Sequence, residues 1–213
     1  MSDVEAARVA AASLSDTLVA VDRAVGSRPN VERVLYFEGD WSQWLPSGWT
    51  GLEQGGGSLG RRLDALFSQV DCPAVVFGMD TPQMASSEIE GALDAVAGGS
   101  VHASSGASAG VPVEGAVDAV FGHACDGGYW TIGFRRYVPG AFDEVPMSVP
   151  HTGRRQLEVL ADLGLSVATV AELRDIDHWR DAQLIAHEHP GLETSVTVSA
   201  IAADLDRSAR GAR

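Results

Sequence analysis

Cysteine is scarce in this chain. Only Cys72 and Cys125 occur in 213 residues, too few for a disulfide framework and at no zinc-ligand spacing, so a reducing cytosol is the expected setting. Lone thiols of this kind serve more readily as small buried residues than as nucleophiles. Positive charge is scarce as well. Lys plus Arg number 15 against 29 Asp plus Glu, giving a net charge of −14 and a pI near 4.6. That balance argues against sequence-independent binding to nucleic acid or to an anionic membrane surface, both of which need a basic face. A polyanionic substrate would require a bound metal or a local arginine cluster. No apolar run approaches the ~18 uncharged residues of a membrane span. The start Met1-Ser2-Asp3-Val4-Glu5 is acidic where a secretory leader is basic, and Arg8 interrupts the Ala-rich run that follows. The expectation is a soluble, cytoplasmic protein. Neither a Gly-x-Ser-x-Gly elbow nor a Gly-x-x-x-x-Gly-Lys-Ser/Thr loop is present. The histidines add little, because His102, His151, His178, His187 and His189 show no ligand-like spacing.

What is there reads as alternating strands and helices. Apolar residues at three-to-four spacing, from Val4 through Val21, predict a helix over residues 3–25, and Gly26 stops it. A strand is expected over 31–38, then a loop carrying Trp41, Trp44 and Trp49, and a short strand near 49–54. Gly55-Gly56-Gly57-Ser58 leads into a helix over 59–70. Further strands are expected at 74–79, 119–122, 126–134 and 165–170, with helices at 86–96, 152–163 and 179–187. Strands alternating with helices imply βαβ units and a largely parallel sheet. Residues 1–193 read as a single domain with a flexible, Gly/Ser/Ala-rich insertion at 98–115. Residues 194–213 read as a loosely docked helical tail.

The most informative segment is Val75-Val76-Phe77-Gly78-Met79-Asp80-Thr81-Pro82, an apolar strand that delivers a carboxylate to its C-terminal end. Ligands of open α/β sheets bind outside the carboxyl ends of the strands, so Asp80 is placed to hold a metal with its phosphate; capping the next turn or helix is the alternative. Gly55-Gly56-Gly57 before a helix lets backbone N–H groups approach a phosphate, or is plain loop. Arg61 and Arg62 oppose the dipole of that helix, which suits an anion or a solvated pair. Asp126-Gly127-Gly128-Tyr129 permits close approach of a ligand, with an aromatic to stack on it, or forms a bulged strand entrance. Asp175 and Asp177, two apart in an extended stretch, face one side as a hard-metal pair, unless Asp177 caps the following helix.

Taken together, Gln54–Leu63, Gly78–Pro82, Asp126–Trp130 and Leu173–Asp177, with Pro146–Gly153 as a further block, resemble the glycosyltransferase-like family of domain of unknown function 2064. That family includes the selenodomain-associated transferases, and the resemblance covers about residues 5 to 185. It implies a three-layer α/β/α, mostly parallel, GT-A-type nucleotide-diphospho-sugar transferase fold, similar to the molybdenum cofactor guanylyltransferase and the phospholactate guanylyltransferases. By position, Asp80 and Asp177 are the implied metal ligands for Mg²⁺ or Mn²⁺, and Asp80 and Asp126 the implied catalytic carboxylates. Gln54, Gly57 and Arg62 fall on the nucleotide and phosphate side. Gly127, Gly128 and Tyr129 fall on the acceptor side, beside Asp126. The implied partners are a nucleotide or nucleotide sugar and a small-molecule acceptor of unknown identity.

The sequence also departs from the family. Members begin with an apolar strand and a Gly-rich turn containing Lys-Thr-Arg, whereas Met1 opens directly into the helix expected after that turn. Ser58 stands where an acid is common. The expectation is therefore a GT-A-type fold lacking its first strand, with sheet edges that a second copy could cover as a homodimer. A metal-dependent glycosyl- or nucleotidyltransferase is one reading. The other is a catalytically silent nucleotide-binding or interaction protein that has lost the phosphate loop.

Overall fold

The computed structural model describes residues 1–98 and 117–211. Helix α1 (Asp3–Val25) opens with a capping box, in which the Ser2 hydroxyl accepts from Glu5 N–H and the Glu5 carboxylate accepts from Ser2 N–H. Its apolar stripe buries Val9, Leu14, Leu18 and Val25. Strands β1 (Val34–Phe37) and β2 (Thr50–Glu53) pair in parallel. Helix α2 (Leu59–Ser68) starts at the Ser58 cap, and β3 (Ala74–Phe77) and α3 (Ser86–Ala97) follow. Then come β4 (Ala119–Ala124), β5 (Tyr129–Phe134), α4 (Thr152–Asp162), β6 (Val167–Leu173), α5 (Trp179–Glu188) and α6 (Glu193–Gly211).

The larger sheet has the order β3-β5-β4-β6. Strand β5 is antiparallel to both neighbours and β4 is parallel to β6, so β3, β4 and β6 run the same way and β5 alone is reversed. Connections between the like-directed strands pass through helices, which is what βαβ patterning demands. The mixed α/β class read from the sequence is therefore the class observed. Among the described residues, no strand precedes α1 and no ladder joins β1 to the larger sheet.

Both faces of that sheet are covered. Leu63 and Phe67 of α2 and Leu160 of α4 meet Ala119, Phe121, Ile132 and Phe134 on one face. On the other, Ala92, Ala95 and Val96 of α3 pack on Val120 and Ala168, and Ala24 and Val25 of α1 join Ile89 and Trp130. Alternation along β4, with Phe121 to one side and Val120 to the other, assigns each residue its face. Trp130 breaks that alternation. Thr131 pairs with Gly122 but Tyr129 pairs with His123, so Trp130 is the extra residue of a bulge. A second irregularity pairs Ala124 with Leu173 after Gly122 with Val170. Bulges re-aim a strand and commonly adjoin functional sites; here both lie at the end of β4, just before Asp126.

Two expectations need correcting: Cys72 and Cys125, read as small buried residues, are both exposed, and the C-terminal tail differs as well. The C-terminal segment is not loosely docked: α6 packs along α1 and α5, with Val198 and Ile201 buried beside Val9 and Ala182. Asp16 of α1 accepts from the backbone N–H groups of Glu193 and Thr194 and from the Thr194 hydroxyl, at 3.0, 2.8 and 2.7 Å. The side chain that caps α6 thus comes from a distant helix, and a pattern read along the chain misses such a contact. The expected flexible insertion at 98–115 falls, apart from Gly98, outside the described residues.

Candidate active site

Four aspartates gather where β3, β4 and β6 end. Strand β3 runs out into Gly78, whose N–H donates to the Trp130 carbonyl at 2.8 Å, and the chain then turns through Asp80. A Cβ on Gly78 would lie 2.7 Å from Asp80 Oδ1, so the carboxylate folds back over the bare glycine. The same device recurs at the end of β4. Gly128 N–H donates to Asp126 Oδ1 at 2.6 Å, and a Cβ on Gly128 would stand 3.0 Å from that oxygen. Each glycine leaves room for a carboxylate two residues away.

Beyond β6 the chain runs through Asp175 and Ile176 to a bend at Asp177, and Ile176 N–H donates to the Asp80 carbonyl at 2.9 Å. This bond fastens the Asp175–Asp177 segment to the end of β3. Asp126, Asp175 and Asp177 each present a carboxylate oxygen within 4.8 Å of the others. Asp80 lies beside this trio, close enough that Asp177 and Asp126 influence its titration. The sequence reading paired Asp80 with Asp177; the structure instead groups Asp177 with Asp126 and Asp175 and sets Asp80 next to them.

Three of the carboxyls are held above the usual carboxylate range. Burial, then the charges of Asp126, Asp177 and Asp80, push Asp175 up to about 6. Burial also raises Asp177, with Asp126 as the next cause. For Asp80 burial is again the first cause of the rise, opposed by a hydrogen bond to its own backbone and aided by Asp177 and Asp126. Asp80 keeps solvent contact as a residue while protein crowds its carboxylate, as happens on the wall of a cleft; the direction of its shift follows from the crowding and from its acidic neighbours alike. Like charges about 4 Å apart repel by roughly 4 kcal/mol at an effective dielectric constant of about 20. The adjacent Arg174 does not cancel that repulsion, because its guanidinium is turned to Asp181 at 3.5 Å.

The phosphate-side residues from the sequence reading form a separate patch. Gln54 Oε1 accepts from Arg62 Nη1 at 2.7 Å, Gln54 Nε2 donates to the Tyr36 carbonyl at 2.9 Å, and Glu38 accepts from the same Arg62 nitrogen at 3.2 Å. Arg62 Nε is buried without a partner. Gly57, at φ +111°, makes the left-handed turn into the Ser58 cap of α2. The segment Pro146–Gly153 connects this patch to the carboxylates. Met147 lies against Gly60 of α2 and its sulfur accepts from the Tyr129 hydroxyl at 3.7 Å.

That segment also explains the glycine pair. Gly127 has φ +95° and a Cβ there would collide with the Pro150 carbonyl; Gly153 N–H donates to the Gly127 carbonyl at 2.8 Å. The close approach that Gly127 and Gly128 allow is made by the chain's own backbone. Tyr129 likewise packs its ring 5.2 Å from Phe121, and burial raises its phenol. The pair thus fixes the turn that presents Asp126. Asp175 joins the cluster beside Asp177, as their two-residue spacing predicted for a hard-metal pair, whereas the family resemblance implied a metal role for Asp177 and Asp80 alone.

Next to the carboxylates lies a cavity of about 190 Å³ lined by Met1, by α1 from Ala6 to Ser13, by Met79 and Asp80, and by the segment from Ile176 to Trp179. No described helix is long and apolar enough to cross a membrane.

A family profile described as "Uncharacterized protein conserved in bacteria", domain of unknown function 2064, matches residues 16–149, more than half of the chain. Among solved structures, one similar chain is a protein of Desulfovibrio desulfuricans G20 described provisionally as a nucleotide-diphospho-sugar transferase. It superposes with a TM-score of 0.74 at 20% identity, over 94% of this chain and 85% of that one. The likeness establishes the fold. No curated protein matches the chain.

Proposed function

The chain belongs to the family of domain of unknown function 2064, and from that premise we propose that it is a divalent-metal-dependent transferase acting on a nucleotide sugar or nucleoside triphosphate. The observation that carries the reading is the uncompensated group of Asp80, Asp126, Asp175 and Asp177 at the strand ends. The donor set fits the metal. All its atoms are carboxylate oxygens, the hard ligands preferred by Mg²⁺ and Mn²⁺, and their mutual repulsion is what a dication would relieve. Asp177, Asp126 and Asp175 would hold the ion, with Asp80 completing its surroundings.

When bound, the ion neutralises charge on the phosphates and on the leaving group. The chain's own part is positioning. Gly78 and Gly128 let the Asp80 and Asp126 carboxylates turn inward. The Ile176–Asp80 bond fixes the spacing of the two strand ends. Asp126, tied to Gly128 N–H, keeps a second carboxylate oxygen for the ion or for an acceptor hydroxyl. Gln54, Gly57 and Arg62 face the nucleotide side, where Arg62 reaches a phosphate by exchanging its bond to Glu38. Transition-state stabilisation of this kind rests on charge neutralisation and fixed geometry, without a covalent intermediate.

The test is calorimetric titration with Mn²⁺ and then with uridine or guanosine diphosphate. The wild type is expected to bind Mn²⁺ and to bind a diphosphate only in its presence. Asp177→Asn should weaken Mn²⁺ by at least about tenfold, roughly 1.4 kcal/mol. Unaltered Mn²⁺ affinity in that variant, or no binding by the wild type, sinks the reading and leaves the silent-protein alternative.

A further inference from the structure

The segment that carries Asp175 leaves the sheet before it reaches the other carboxylates. Strand β6 ends at Leu173, whose carbonyl accepts from Cys125 N–H at 3.0 Å. Past that bond the segment has no strand beside it among the described residues. Two bonds from the turn after β3 replace the lost neighbour. Gln83 Nε2 donates to the Arg174 carbonyl at 2.6 Å, and Ile176 N–H donates to the Asp80 carbonyl at 2.9 Å. The first grips the peptide group before Asp175 and the second the peptide group after it. Peptide groups are planar, so holding both fixes the backbone dihedrals of Asp175 and with them the direction of its side chain. We propose that Gln83 is a positioning residue that aims the Asp175 carboxylate at the divalent cation; the inference rests on the transferase reading above and adds to it a residue outside the carboxylates.

The turn after β3 has few backbone donors to offer, because Pro82 has no N–H and Met84 N–H is taken by the Thr81 carbonyl at 3.2 Å. A side-chain amide long enough to cross to the next strand end supplies one instead. The turn itself does not depend on that bond. Thr81 is fully buried, Met84 packs with Ala24, Ile89 and Trp130, and the Ser13 hydroxyl donates to the Met79 carbonyl at 2.6 Å. The amide is moreover only half satisfied, since Gln83 Oε1 is buried without a partner. An unpaired buried acceptor costs stability, and an apolar side chain of similar length avoids that cost. What the amide alone supplies is the N–H on Arg174. Asp175 is also the half-buried member of the trio, whereas Asp126 and Asp177 are exposed, so its aim depends most on the backbone beneath it.

Gln83→Met removes the N–H at nearly constant length. A double-mutant cycle with Asp175→Asn, read by Mn²⁺ calorimetry on the full chain, separates aiming from packing. In the wild-type background Gln83→Met should weaken Mn²⁺ about fivefold. In the Asp175→Asn background the same change should alter it by less than about twofold, because no carboxylate is left to aim. The urea midpoint should hold or rise, since the unpaired Oε1 is removed as well, while amide exchange at Ile176 quickens about tenfold. A loss of Mn²⁺ affinity that persists in the Asp175→Asn background overturns the proposal, and so does unchanged affinity in the wild-type background or an Ile176 amide that exchanges at its original rate. If the wild type binds no Mn²⁺, the transferase reading is what fails, and the Ile176 amide decides the positioning of Asp175 alone. Faster exchange there at an unchanged urea midpoint supports it; an unchanged rate overturns it. Should Gln83→Met lower the midpoint, Gln83→Asn, which keeps the amide but falls one methylene short of Arg174, carries the same measurements.

Discussion

Two glycines next to the candidate site look alike in sequence and carry opposite consequences. At Gly78 the atom that an added Cβ would press on is Asp80 Oδ1, the far end of a side chain that can swing away, and the backbone there needs no left-handed conformation. At Gly127 the obstacle is the Pro150 backbone, and φ is +95°. Gly78→Ala should therefore leave stability within about 0.5 kcal/mol while displacing the carboxylate and weakening Mn²⁺ roughly tenfold. Gly127→Ala should cost about 2 kcal/mol or more, since it adds both strain and a backbone clash. Urea melts alongside Mn²⁺ titrations separate the two. Equal loss of stability in both variants would mean that Gly78 serves packing and not the carboxylate.

At the scale of elements, α6 is held by a residue far away in the chain. Asp16 supplies the oxygen that an N-cap side chain normally provides, and it receives two backbone N–H groups and a hydroxyl. Asp16→Ala should destabilise the protein by about 1 kcal/mol, as the loss of a cap does, and should raise amide exchange first over the start of α6. Unchanged exchange there would show that packing against Val9 and Ala182 alone holds the helix. This element also marks what the sequence makes legible. Local period defined the helices and strands well: α1 and α3 were found within a residue or two of their ends, because buried positions recur every three to four residues. Asp80 could be read as a strand-end acid for the same reason, since the apolar run Val75–Phe77 stops just before it, and Asp177 from its two-residue spacing to Asp175. Pairing order, the Trp130 bulge and the Asp16 cap could not, because each depends on residues distant in sequence. Asp126 and Asp175 meet only because β4 and β6 pair side by side, and no single segment encodes that pairing.

Across the whole molecule the charge balance makes the carboxylate group costly. The net charge is −14 and all 15 basic residues are arginines, several of them committed to acids elsewhere, as Arg28 is to Asp94, Arg33 to Asp22 and Arg174 to Asp181. The acids at the strand ends must then be relieved by protons or by a cation. The sign follows from Asp175, whose carboxyl is pushed up to about 6 from 3.8 chiefly by burial. A folded-state pKa above the unfolded one means that the native state binds the proton more tightly. The stability from this group is present in full below the unfolded value and is lost as pH rises through about 6. Without metal, the urea midpoint of the wild type should fall between pH 5 and pH 7.5 relative to that of Asp175→Asn, which has no proton to lose. Saturating Mn²⁺ should reverse the difference at pH 7.5, because the ion binds the ionised carboxylate and stabilises only the folded state that holds it. Calorimetry at pH 5.5 in buffers of differing ionisation enthalpy should then record proton release on Mn²⁺ binding, and less of it in Asp175→Asn. Identical pH slopes in the two proteins would show that Asp175 is ionised in both folded and unfolded chains across this range, and that the repulsion inferred at the strand ends is already screened.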